Sequence, residues 1–119
     1  QQERPRQSVS GHNHATFGPL EQWMVSKEDV GDTNHLPMWL EVDGHRYQDG
    51  TTKTMHFGVA HLVSYLSQFM SLLPGDIIST GTPPGVGLGQ SPPTYLKPGQ
   101  VMRLGIEGLG EQQQCTVEG

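Results

Sequence analysis

Leu73–Gly87 reads LPGDIISTGTPPGVG, and the rest of the chain is placed around it. Pro74-Gly75 suits the two central positions of a type II turn, because proline presets φ at the first and glycine accepts positive φ at the second. Asp76-Ile77-Ile78-Ser79-Thr80 is β-branched enough to predict a short buried strand. Gly81-Thr82-Pro83-Pro84-Gly85 must then leave any sheet, since two consecutive prolines lack the N–H groups a ladder requires. The result is a stiff loop presenting the hydroxyls of Thr80 and Thr82 and the backbone N–H groups of Gly81 and Thr82, which are groups that hold a small anion or oxyanion. A Gly/Pro-rich surface turn with no ligand accounts for the same letters.

Composition narrows the classes. The chain has 119 residues, enough for one domain or a piece of one, with 16 Gly and 9 Pro that favour short strands and turns over a helical bundle. A formal net charge of −5 argues against a nucleic-acid or anionic-membrane surface, both of which need a basic stripe. The single cysteine, Cys115, excludes an internal disulfide framework and fits a reducing compartment such as the cytoplasm. Its place among polar residues of a terminal strand, with no activating base nearby in sequence, reads as a buried small apolar residue. No apolar run approaches the length of a membrane span. The partner expected is a small molecule or another protein.

Outward from the central stretch, Ser26 caps one helical turn over Lys27–Val30, with Asp29 completing a capping box. Trp23-Met24-Val25 is expected to line a wall. Met38–Val42 reads as a strand, Asp43-Gly44 as a tight hairpin turn and His45–Gln48 as the returning strand, closed by Asp49-Gly50. Val59, Leu62, Val63, Leu66, Phe69 and Met70 fall on one helical face, so Val59–Met70 predicts the main helix, packed on a sheet. Pro98-Gly99 turns the chain into a strand over Val101–Glu107, and Gly108-Leu109-Gly110 returns it as Glu111–Val117. The fold class is α+β, rich in β-structure, with one main packed helix.

Other motifs weigh less. His12-Asn13-His14 has strand spacing for two metal-ligating imidazoles, but no third ligand sits at a recognisable distance, and surface histidines account for it. Gly85-Val86-Gly87-Leu88-Gly89 departs from the dinucleotide fingerprint in its third glycine, and Gln90-Ser91-Pro92-Pro93 cannot open the helix that fingerprint needs. The acidic residues form no pair assignable to acid–base work.

Taken in order, Thr16-Phe17-Gly18-Pro19, Trp39–Gly44, Gln48-Asp49-Gly50, Tyr65–Phe69, Leu73–Asp76, Thr80–Gly87 and Ile106–Gly110 resemble the fumarylacetoacetate hydrolase family over nearly the whole chain. Within it, the look is nearest to bacterial hydrolases of diketo-deoxy sugar acids, often labelled ureidoglycolate lyases. The resemblance implies a mixed β-sheet roll, a homodimer, and Mg²⁺ or Mn²⁺ held by two glutamates and an aspartate. It implies hydrolysis of a C–C bond in a small 2-oxo carboxylic acid of the 2,4-dioxo (acylpyruvate or diketo-deoxy sugar) class. Gly81 and Thr82 match the loop that holds the substrate carboxylate. Gln1 matches a glutamine a few residues after the metal-binding aspartate, which places the metal ligands ahead of residue 1 and none within the chain. Residues 1–119 are then the C-terminal portion of one catalytic domain. His12 stands where the family has a lysine that stabilises substrate charge; a lysine stays cationic at neutral pH, whereas histidine changes charge between about pH 5 and 8. Ala15 replaces a usual aspartate. The expectation is an incomplete or divergent copy of such an enzyme, inactive by itself; the alternative is a non-catalytic, structural or dimer-forming remnant of the same fold.

Overall fold

The computed structural model describes residues 24–118. Two hairpins form a four-stranded sheet with strands β1 (Pro37–Val42), β2 (His45–Thr51), β3 (Val101–Ile106) and β4 (Gly110–Cys115), in the order β2-β1-β3-β4. Among the described residues two α-helices accompany it, α1 (Lys27–Val30) and α2 (Val59–Leu66). The α+β, strand-rich class is what the sequence predicts. Every described strand pairing is antiparallel, where a mixed sheet was expected.

The first hairpin follows from its turn. Asp43 and Gly44 both take positive φ, 51° and 81°, which twists the turn in the same sense as its flanking strands. Asp43 also ties the hairpin to its neighbour: its carboxylate accepts from the N–H of Val101 and from the Gln100 amide, each at 2.9 Å. The second hairpin turns at Glu107–Leu109, where Leu109 N–H donates to the Ile106 carbonyl at 3.0 Å.

Strand alternation then sorts the side chains. Met38, Leu40 and Val42 of β1 stand opposite Ile106, Leu104 and Met102 of β3, making the apolar face. On the other face the Trp39 ring lies across Gly105, where a Cβ would come within 2.8 Å of the indole nitrogen. Arg46 and Arg103 sit over that ring at 4.5 and 5.8 Å, and each pairs with a glutamate, Glu41 and Glu111. The two faces are therefore chemically distinct, and the ligand cleft described below uses the apolar one.

Five expectations need correction. Asp76–Thr80 joins no strand of the described sheet, and Ile77 is 70% exposed. β-propensity in the sequence says that a segment fits a sheet, and a strand exists only where a partner edge is free to pair with it. Asp49 and Gly50 do not close β2 but continue it, opposite Trp39 and Met38. Helix α2 ends at Leu66, with Ser67–Met70 in looser turns, and its apolar stripe is only partly covered: Val63 is 40% and Phe69 67% exposed. Cys115 is exposed, because β4 is a terminal strand of this sheet and its register turns Cys115 outward. Met24 is 95% exposed and lines no wall. By contrast, the Ser26 cap is present: its hydroxyl accepts from Asp29 N–H at 3.3 Å and donates to the Asp29 carboxylate at 2.8 Å.

Candidate functional site

On the apolar side of the sheet, Met38 and the Thr51-Thr52 step at the end of β2 floor a cleft of about 370 Å³. Thr80–Pro84 form one wall, and Met55–Phe57 with Leu62 of α2 form the other. A volume of this size lies in the range of small-molecule clefts.

Three contacts position the Thr80–Pro84 wall. At Gly50 a Cβ would lie 2.9 Å from the Pro83 ring, so this glycine lets the double proline rest directly on the strand. That is why Gly50 continues a strand instead of ending it. Further along, β2 carries a bulge: Leu40 pairs with Gln48 but Glu41 pairs with Arg46, leaving Tyr47 as the extra residue. Gly85, at φ +110°, abuts the carbonyl of that bulged Tyr47 so closely that a Cβ would sit 1.9 Å from its oxygen. The third contact is Gln48, whose side-chain amide donates to Thr82 Oγ1 and to the Pro83 carbonyl, each at 3.2 Å. Because Thr82 Oγ1 accepts from Gln48, its own O–H remains available to donate.

The polar groups facing a ligand are few. The N–H groups of Gly81 and Thr82 make no hydrogen bond to any described residue, and both residues are exposed at the cleft wall. The cleft threonines on β2 and the following 3₁₀ turn also bond to backbone: Thr51 Oγ1 accepts from Lys53 N–H and Thr52 Oγ1 from Leu36 N–H, which leaves each an O–H to donate, and Thr54 donates to the Thr51 carbonyl. His56 is the one titratable side chain among the described lining residues. On the opposite face, a second hollow of about 360 Å³ near Trp39 is bordered by Glu107 and Glu111, whose charge disfavours an anion.

Gly81 and Thr82, expected from the sequence to hold an anion, both line this cleft. His12 and Gln1, the other expected site residues, lie outside the described residues. Gln48, the residue that orients Thr82, was visible only as part of the Gln48-Asp49-Gly50 motif. Nothing in local spacing announces a contact across 34 positions. Among the described residues no group of three or more His, Cys, Asp or Glu is placed to hold a metal ion. The described residues therefore do not fit the family's divalent cation.

Comparison with known proteins follows the same line. A hydrolase-named protein of Burkholderia multivorans (strain ATCC 17616 / 249) is 59% identical over 115 residues, covering 96% of this chain and 41% of its own length. The chain spans about two fifths of the length of the curated relatives it matches. Maleylpyruvate hydrolase from Sphingobium sp. SYK-6 is similar in structure, with a TM-score of 0.83 and 32% identity over 95% of this chain and 40% of that one. Fumarylpyruvate hydrolase from Pseudomonas aeruginosa, solved with Mn²⁺ and pyruvate, has a TM-score of 0.69 and 38% identity over 78% of this chain and 37% of that one. The family model described as fumarylacetoacetate (FAA) hydrolase C-terminal matches residues 1–117, and with that extent of match the chain belongs to the fumarylacetoacetate hydrolase family.

Proposed function

We propose that this chain forms the acid-binding wall of a hydrolase for 2-oxo acids of the acylpyruvate type. The observation that carries the reading is the placement of Gly81 and Thr82, with N–H groups that no described residue engages and a hydroxyl oxygen held by Gln48, on the wall of a cleft of small-molecule size. Two backbone N–H groups and one O–H are donors of the kind a carboxylate accepts from. Pyruvate bound in the fumarylpyruvate hydrolase of Pseudomonas aeruginosa is the same kind of acid. In the reaction, cleavage of the C–C bond of the dioxo acid by water would leave pyruvate and a second carboxylic acid. The role assigned to Thr80–Gly85 is to fix the acid end.

A divalent cation, when bound in such an enzyme, supplies Lewis-acid polarisation of a carbonyl oxygen. The described residues hold no donor set for it, and what they contribute is anion binding and orientation. Its ligands are assigned to sequence outside residues 24–118. The reading also takes the assembly to be a homodimer and the setting to be the cytoplasm, consistent with the lone thiol and with the absence, among described residues, of a helix long and apolar enough to cross a membrane.

Calorimetric titration with acetylpyruvate tests the site. The expected result is measurable binding that falls several-fold in Thr82→Val, which keeps the shape and removes the hydroxyl. Equal binding by both forms would contradict the reading.

A further inference from the structure

The sheet ends in two edge strands, and the two edges differ. β2 is broken by the bulge at Tyr47, and the loop at Pro83–Gly85 lies against it, so close that a Cβ on Gly85 would meet the Tyr47 carbonyl. β4 has neither protection: its register with β3 runs unbroken from Gly110 to Cys115, and GEQQQC contains no proline, no lysine and a single charge, Glu111. Prolines, lysines and bulges are what keep an edge from pairing with another chain. The open groups on β4 follow from its ladder. Thr116 N–H donates to the Gln100 carbonyl at 2.9 Å, and the Thr116 carbonyl accepts from Gly99 N–H at 2.8 Å, so the Thr116 backbone faces β3 and the turn before it. Antiparallel bonding alternates along a strand, which turns the N–H and C=O groups of Cys115, Gln113 and Glu111 away from β3. Among the described residues nothing pairs with that side of β4.

We propose that this edge pairs with the same edge of a second copy, antiparallel and centred on Gln113, so that the two four-stranded sheets become one. The inference rests on the homodimer reading above and gives that dimer its surface. Side-chain chemistry selects the occupant. A carboxamide carries both donors and an acceptor, so glutamine is its own complement. In this register Gln113 stands opposite its copy and Gln112 opposite Gln114, while Glu111 lies opposite Cys115. The two Glu111 carboxylates are then kept at opposite ends of the junction, and each is already paired with Arg103 of its own chain at 2.8 Å. Centring on Glu111 instead would set like charges directly opposite, which opposes pairing. Centring on Cys115 would put Gln113 against Val117 and lose the amide pairs. A foreign strand with apolar side chains would find only glutamine, glutamate and one thiol beside it.

The test is amide hydrogen exchange of the ¹⁵N-labelled 119-residue chain over a concentration series, with sedimentation alongside. Gln112 and Gln114 face β3 and should be protected at every concentration, whereas Glu111, Gln113 and Cys115 should gain protection only as the chain associates. Gln113→Lys and Gln113→Glu each set like charges opposite one another in this register. Either variant alone should associate about fivefold more weakly, the worth of a cross-strand pair, and an equimolar mixture of the two should recover the loss. Gln113 is exposed, so both variants should fold, and unchanged amide signals away from β4 check it. Dimers that both variants form as tightly as the parent, or a mixture that recovers nothing, would overturn the edge pairing and leave the homodimer reading standing. A chain that stays monomeric throughout would defeat that reading and this inference together. Protection of Glu111, Gln113 and Cys115 in the monomer would show the edge covered within one chain, and would also overturn the proposal.

Discussion

Gly85 and Asp32 show how much single residues decide. At Gly85 a Cβ would meet the Tyr47 carbonyl oxygen at 1.9 Å, and the backbone is already in a region L-residues avoid. Gly85→Ala must therefore push the loop off the bulge. A loss of about 2–4 kcal/mol in urea unfolding is expected, in the range of a strained backbone plus a displaced contact. An unchanged midpoint would show that the loop does not depend on that approach. Asp32 is a surface case: its carboxylate accepts from the Asn34 backbone N–H at 3.0 Å and also contacts His35, and these interactions hold its pKa below the usual carboxylate value. A depressed folded-state pKa means the stabilising effect is present above the ordinary carboxylate range and is lost as pH falls through the lowered value. The Asn34 amide signal should hold steady down through that ordinary range and shift only below it. In Asp32→Asn the shift should disappear. The place of Thr82 on a loop outside any sheet was legible at this scale, because two consecutive prolines cannot join a ladder. Gln48, which orients it, was not, because a glutamine in a strand carries no local sign of what it faces.

Among elements, hairpins were the most legible. Asp43-Gly44 fixes its turn through two positive φ angles, and both flanking strands form where alternation and turn chemistry place them. Strand ends were less so: Gly50 reads as a breaker in sequence, yet it remains in β2 because Pro83 needs the space a side chain would fill. The strand expected at Asp76–Thr80 fails for a related reason, since its apolar letters record a preference for burial and not the neighbour that would supply it. Helix α2 stops at Leu66 although its apolar periodicity runs to Met70, because periodicity marks a face and does not fix where the backbone bonding ends. The link between β2 and the loop yields a prediction of its own. Gln48→Ala removes both tethers from Thr82 and Pro83. Acid binding should fall several-fold while unfolding free energy drops by only about 1 kcal/mol, the usual net worth of such hydrogen bonds. A large stability loss with unchanged binding would assign Gln48 to the core instead.

For the whole molecule, the balance between covered and uncovered apolar surface is the main fact. Val42, at 8%, is the one hydrophobic residue among those described that is buried, while Leu73, Phe69, Ile77 and Val117 are each about two thirds exposed or more. Side chains of that kind favour association. Sedimentation of the isolated chain should show dimers or larger species growing with concentration, and a cleanly monomeric, cooperatively melting sample would contradict this. The family and the α+β class were readable from motif order and turn spacing. The burial of a given residue was not, because it depends on what the surface meets.

The account stands on the Gly81–Thr82 loop gripping the acid end of a ligand in the cleft beside β2. The most direct measurement is a pyruvate titration of the ¹⁵N-labelled chain. Saturable shifts centred on the Gly81 and Thr82 amides, weakened in Thr82→Val, are predicted. Shifts that are absent there, or that gather on the Trp39 face of the sheet, would contradict it.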